Sequence, residues 1–161
     1  MKAAVCAVMV SLAPVQALAL SCMPHSIEAA FQRAKSDPAE FSIVKGVLEF
    51  DARKLPKAGY NKQKPSRDAT RIKAAFTGAS LSRKGFATPF SSPVTLSVAC
   101  FGPWCASAPH GTEVLAFVEI GADGYVVSTN PCGGFLFDTP TPEMIDTVKR
   151  CFAGQRCQPP R

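Results

Sequence analysis

Six cysteines lie beyond residue 20 of this 161-residue chain, and Cys22, Cys100, Cys105, Cys132, Cys151 and Cys157 constrain the fold more than any other feature. The set is even, it contains no Cys-x-x-Cys pair, and the chain has only two histidines, His25 and His110. That composition fits neither a structural zinc site nor a dithiol redox motif. In an oxidising compartment it reads as up to three disulfides. Both histidines read as surface or locally hydrogen-bonded side chains, so no metal and no cofactor is expected.

The seventh cysteine, Cys6, sits in a different setting. Lys2 is followed by an apolar run from Ala3 to Ala13, broken only by Ser11, and then by Ala17-Leu18-Ala19. Small residues stand where a signal peptidase cuts, so residues 1–19 read as a signal peptide and Leu20 as the mature N-terminus. Ser21-Cys22 resembles the end of a lipobox, which leaves lipidation of Cys22 as the rival processing route. The apolar run is short for a bilayer and no second stretch approaching twenty apolar residues follows it. The expectation is a periplasmic or secreted protein with no transmembrane segment after signal removal. Residues 20–161, roughly 140 of them, suffice for one domain with its own core.

Hydrophobic periodicity supplies the elements. Ser26 caps a helix whose Ile27, Ala30, Phe31 and Ala34 share a face, ending near Ser36-Asp37-Pro38. Period-two patterning then gives five strands: Phe41–Phe50, Arg71–Thr77, Val94–Cys100, Val114–Ile120 and Tyr125–Ser128. Gly46 interrupts the first and predicts a bulge or sharp bend. The fourth, apolar on both faces, is expected to be central, and Gly121-Ala122-Asp123-Gly124 turns it into the fifth. Thr141, Pro142 and Glu143 open a last helix with Ile145, Val148 and Phe152 inward, stopped by Gly154. The fold class is mainly β with flanking helices. Closure would hide the edges of five antiparallel strands, which favours a five-stranded OB-type barrel with an N-terminal and a C-terminal helix; the same pattern permits a sandwich.

Catalysis finds little support. There is no Gly-x-Ser-x-Gly, and the cysteines are accounted for by disulfides, with Cys100–Cys105 and Cys151–Cys157 paired on their short separation. Glu113 and Glu119 share a strand face but stand about 20 Å apart along extended chain, too far for an acid and base pair. A non-enzymatic protein is expected.

Charge is more informative, because the net charge of +6 is concentrated. Arg53, Lys54, Lys57, Lys62, Lys64, Arg67, Arg71, Lys73, Arg83 and Lys84 crowd the first inter-strand loop and its neighbours, with only Asp68 among them. A solvated loop is one reading. The other is an anionic partner, such as a lipid headgroup, polysaccharide or acidic protein, with Lys62, Lys64, Arg67, Arg71 and Lys73 as the contact residues. Tyr60 is the only aromatic between Phe50 and Phe76, too thin a stacking platform for nucleic acid.

Cys22-Met23-Pro24 followed by Ala30-Phe31, the strand Phe41–Phe50, the mid-chain Cys100, the hairpin Glu113–Ser128 leading into Asn130-Pro131-Cys132, and a closing helix form an ordered series. In order and spacing the chain beyond its leader resembles the netrin-like module of tissue inhibitors of metalloproteinases. The resemblance implies an OB barrel whose N-terminal segment is tied down by disulfides, and a Cys22–Cys132 pair. That family inhibits through the α-amine and carbonyl of an N-terminal cysteine that chelate the protease zinc. Here the position falls on Leu20, followed by Ser21, so the chelating atoms would be present without the disulfide that preorganises them. Two functions follow: an exported, non-catalytic binding or interaction module with an anionic partner at its basic loop, or an inhibitor of a zinc metalloprotease through the mature N-terminus.

Overall fold

The computed structural model describes residues 20–59 and 69–159. Residues 1–19, expected to be a signal peptide, Tyr60 and the candidate cations Lys62, Lys64 and Arg67 lie outside the described residues. The first helix, α1 (Ile27–Ser36), begins where Ser26 Oγ accepts the Ala29 N–H at 3.2 Å, and it buries Ile27 and Ala30. The strands are β1 (Glu40–Phe50), β2 (Thr70–Ser82), β3 (Gly85–Val98), the short pair β4 (Cys100–Phe101) and β5 (Trp104–Cys105), then β6 (Glu113–Gly121), β7 (Gly124–Thr129) and β8 (Leu136–Asp138). The second helix, α2 (Pro142–Phe152), has Thr141 Oγ1 accepting the Met144 N–H at 3.3 Å and Pro142 at its start.

Five of these strands close on themselves. β1 pairs antiparallel with β2, β2 with β3, β3 runs parallel to β7, β7 returns antiparallel to β6, and β6 pairs antiparallel with β1. β8 adds to the free end of β6 beyond β7, and β4–β5 form a separate small hairpin in the β3–β6 connection. The expected all-antiparallel arrangement is corrected: β3 and β7 run parallel, the third strand ends at Val98 with Cys100 in β4, and β4, β5 and β8 are additional. All five expected strands are present. The expected bulge at Gly46 is not: the β1–β2 ladder runs unbroken from Val44↔Ser80 to Phe50↔Ala74. Gly46 instead faces Gly78, and a Cβ on either would run into the other strand's backbone, the Thr77 carbonyl in one direction and the Lys45 carbonyl in the other. Glycine is required there for close approach. The register shift falls between Ser80 and Leu81.

Closure gives the ring an inside. Val44, Leu48, Ile72, Phe76, Leu96, Val98, Val114, Ala116, Val118 and Val127 fill it. A second apolar layer, with Ile27, Ala30, Ile43, Leu115, Phe117, Phe137 and Val148, lies between the outer side of β1 and β6 and the two helices. β6 is thus buried on both faces from Val114 to Val118, as its composition predicts, before Ile120 emerges. Phe152 corrects the reading of α2: it is 43% exposed rather than inward. The buried stripe is Thr147, Val148 and Cys151, and the Cys151–Cys157 bond holds Cys151 inside while Phe152 is left at the margin.

Three disulfides staple the domain: Cys22–Cys132, 110 residues apart, Cys100–Cys105 and Cys151–Cys157. All three expected pairings are present. Among the described residues no helix is long and apolar enough to cross a membrane.

The glycine contact yields a test. Gly46→Ala should cost about 1–3 kcal/mol or more, because overpacking against backbone has no flexible side chain to yield. Gly121→Ala, whose Cβ would meet only the Gly124 carbonyl at 3.4 Å, should leave the urea midpoint nearly unchanged. Equal midpoints for both variants would contradict this strand crossing.

Candidate binding surfaces

Two regions of the ring present side chains that the sequence singles out. The first is the N-terminal edge. Asn130 Oδ1 accepts the Cys132 N–H at 2.8 Å and Thr129 Oγ1 donates to the Gly133 carbonyl at 3.0 Å, so the turn after β7 is internally bonded. Cys22–Cys132 fastens the segment before α1 to that turn. Gly133 and Gly134 both have positive φ, +102° and +76°, a conformation that suits glycine. A Cβ at Gly133 would also run into the His25 ring.

His25 completes the joint. Its ring stacks on Phe137 at 4.0 Å with a 10° tilt, and Nε2–H donates to the Gly134 carbonyl at 3.2 Å while one edge stays exposed. Desolvation lowers its pKa below 6.5; the hydrogen bond to Gly134 opposes this and the Arg33 charge adds to it. His110 spends Nδ1 on the Phe50 N–H at 3.1 Å. Both histidines are exposed, as expected, and both bond to backbone, at partners 109 and 60 residues away rather than locally.

Leu20 lies at this edge, half-buried, in the rim of a cleft of about 550 Å³ that it shares with Trp104, Pro109, Asn130 and Asp138. Ser21 and Met23 are exposed, Met23 at 85%. Trp104 was not among the candidates read from sequence. Its signal is the spacing Cys100-Phe101-Gly102-Pro103-Trp104-Cys105, a turn dipeptide inside a local disulfide, with Gly102 at φ +60°.

The second region is the cationic one, which the structure divides. Arg71 and Lys73 flank buried Ile72 and stand exposed on the outer side of β2, beside Ser97 and Thr95 of β3. Among the described residues neither has a carboxylate within ion-pair reach. Arg53 is engaged: Nε lies 2.8 Å from Asp51 Oδ1 and Nη2 3.0 Å from Oδ2, which holds the Asp51 carboxyl below its ordinary range and raises the guanidinium. Arg83 and Lys84 leave the cluster altogether. They form the β2–β3 turn, at the opposite end of β2 from the basic loop. Glu113 and Glu119 stand near opposite ends of β6, with Glu113 paired to Lys45 at 2.7 Å.

Compared with protein-family models, curated proteins and solved structures, the chain gives no match.

The His25 environment makes a pH prediction. Its folded pKa is depressed, so protons bind the unfolded chain more tightly; its contribution is complete above about pH 6.5 and lost as pH falls through the folded pKa. NMR titration of the imidazole should show a midpoint below 6.5. His25→Phe, which retains the stacking surface, should flatten the fall in urea stability between about pH 7 and 5. A midpoint at or above 6.5 would contradict the partial desolvation of the ring against Phe137.

Proposed function

We propose that this chain is an exported, non-catalytic binding module of netrin-like, OB-barrel type, and that it takes an anionic partner at the cationic end of its strand ring. One observation carries the reading: Arg71 and Lys73 project side by side from the outer side of β2, with no carboxylate partner among the described residues, where β2 leaves the basic loop. Paired cations would already have their counter-charge. Among the described residues these have none, so an anion can approach without displacing one.

Other features support the module. The closed pairing order β1-β2-β3-β7-β6, with one parallel contact between β3 and β7, is compatible with a five-stranded Greek-key barrel. In such barrels the loop joining the first two strands, here 51–69, borders the ligand face. Three disulfides favour an oxidising destination, in keeping with the signal-like residues 1–19.

Retention on an anionic polysaccharide matrix tests this. Binding should weaken steeply between low and physiological salt, because exposed charges are screened over about 8–10 Å. Arg71→Gln with Lys73→Gln, or Lys62→Gln with Lys64→Gln and Arg67→Gln, should abolish retention while circular dichroism stays unchanged. Retention that survives both sets would return the loop to a merely solvated surface.

A second reading rests on a different observation: Leu20 occupies an open edge beside Trp104 and the Asn130–Gly133 turn, two residues from the Cys22–Cys132 anchor. Cleavage after Ala19 would free an α-amine there, and with the Leu20 carbonyl it could chelate the zinc of a protease docked on that edge. The native mature form should then slow a zinc protease, and one residue added before Leu20 should abolish the effect. A native N-terminus that slows no member of a zinc-protease panel ends this reading.

A further inference from the structure

We infer that the cleft between the β2–β3 turn and the end of α2 holds the head of a single-chain anionic amphiphile, with its hydrocarbon tail in the apolar groove that adjoins it. This site is separate from the basic loop and does not rest on it, since the two lie at opposite ends of β2.

Two depressions meet at Phe152. The larger, about 840 Å³, lies between the turn carrying Arg83 and the last turn of α2 carrying Lys149 and Arg150. The smaller, about 210 Å³, is floored by Ile43 and Phe117 and walled by Phe31 and Phe41, with Lys35 at its lip. Phe152 lines both and is 43% exposed. No aspartate or glutamate lines either one. Among the described residues Arg83 and Lys149 have no carboxylate partner, and Arg150 donates one bond, from Nη2 to Thr147 Oγ1 at 2.9 Å.

Helix chemistry explains part of this. Basic residues in a last turn complement the helix dipole, which accounts for Lys149 and Arg150. It does not account for Arg83, which arrives from another element, or for a phenylalanine left in water beside three cations. A free anion would have no use for the aromatic groove, and a neutral hydrocarbon no use for the cations. One molecule with an anionic head and an apolar tail uses both.

The walls are also fixed before any ligand arrives. Cys151–Cys157 pins the turn after α2, and Gln32 Nε2 donates to the Cys157 carbonyl at 2.8 Å, tying that turn to α1. On the opposite wall the register shift after Ser80 buries Leu81, and Ser82 Oγ donates to the Gly85 carbonyl at 3.0 Å, which closes the turn presenting Arg83. Walls held this way lose little freedom on binding.

Calorimetric titration of the purified protein with dodecyl phosphate, kept below micelle formation, tests the assignment. One molecule should bind per chain. Arg83→Gln with Lys149→Gln should weaken it at least about tenfold, and Phe152→Ser likewise. Arg71→Gln with Lys73→Gln should leave it unchanged, which separates this site from the loop. All these positions are exposed, and circular dichroism checks that each variant is folded. Dodecyl maltoside binding as tightly as dodecyl phosphate would overturn the proposal by showing a tail site only. Inorganic phosphate binding as tightly would overturn it by showing a head site only. Retention on phosphatidylglycerol vesicles without monomer binding would overturn it in favour of a membrane surface.

Discussion

The fold depends on one strand serving two partners. β1 pairs with β6 from Glu40 to Val47 and with β2 from Val44 to Phe50, so four residues, Val44 to Val47, are bonded on both sides. That overlap turns a row of five strands into a ring and covers most of the edge that an open sheet would leave for aggregation, with residues 85–93 of β3 still paired on one side alone. At one register position the two neighbouring backbones of β1 and β2 approach closely. Gly46 and Gly78 meet there, where no side chain fits on either backbone. Closure then decides what else can be buried. The inner residues of β1, β2, β3, β6 and β7 share one core, and the outer sides of β1 and β6 are left to be covered by the two helices.

The parts of this design with large alternating side chains were legible in the sequence. Ile72 and Phe76, Val94 to Val98, and Val114 to Val118 announce strands and their faces, and Ser26 and Thr141 announce helix starts. What escaped was the far half of the β2–β3 hairpin, residues 78–93, where glycine, alanine, serine and proline leave no alternation to read. Pro89 and Pro93 look like strand breakers. They are tolerated because β3 contacts β7 only from Val94 to Val98, so at both prolines the strand has a partner on one side alone and no second ladder bond is lost. The unseen hairpin had a further effect on the reading of charge: without it, Arg83 and Lys84 seem to belong to the basic loop, whereas thirteen residues of β2 carry them to the other end of the ring.

The same distinction explains the candidate sites. Arg71 and Lys73 could be placed in advance because they alternate with buried Ile72. The Phe152 cleft could not, since it is assembled from α1, β1, β6, the β2–β3 turn and α2, and since Phe152 itself carries the helical spacing of an inward residue. The buried stripe of α2 runs instead through Thr147, Val148 and Cys151, with Cys151 bonded to Cys157, and Phe152 beside it is left in solvent.

The span of Cys22–Cys132 has a mechanical meaning. All five ring strands, from Glu40 to Thr129, lie inside the covalent loop that this bond closes, while β8 and α2 lie beyond it. The covalent path for tension applied between residues 20 and 159 runs from Cys22 through the sulfur atoms to Cys132 and bypasses the backbone of all five ring strands. Such a pull could peel α2 from its apolar layer and β8 from β6, and would then meet a bond that does not extend. The bond thus divides the chain into a covalently closed loop that holds the ring and a C-terminal cover, β8 and α2, that packs on the outer side of β6 from beyond it.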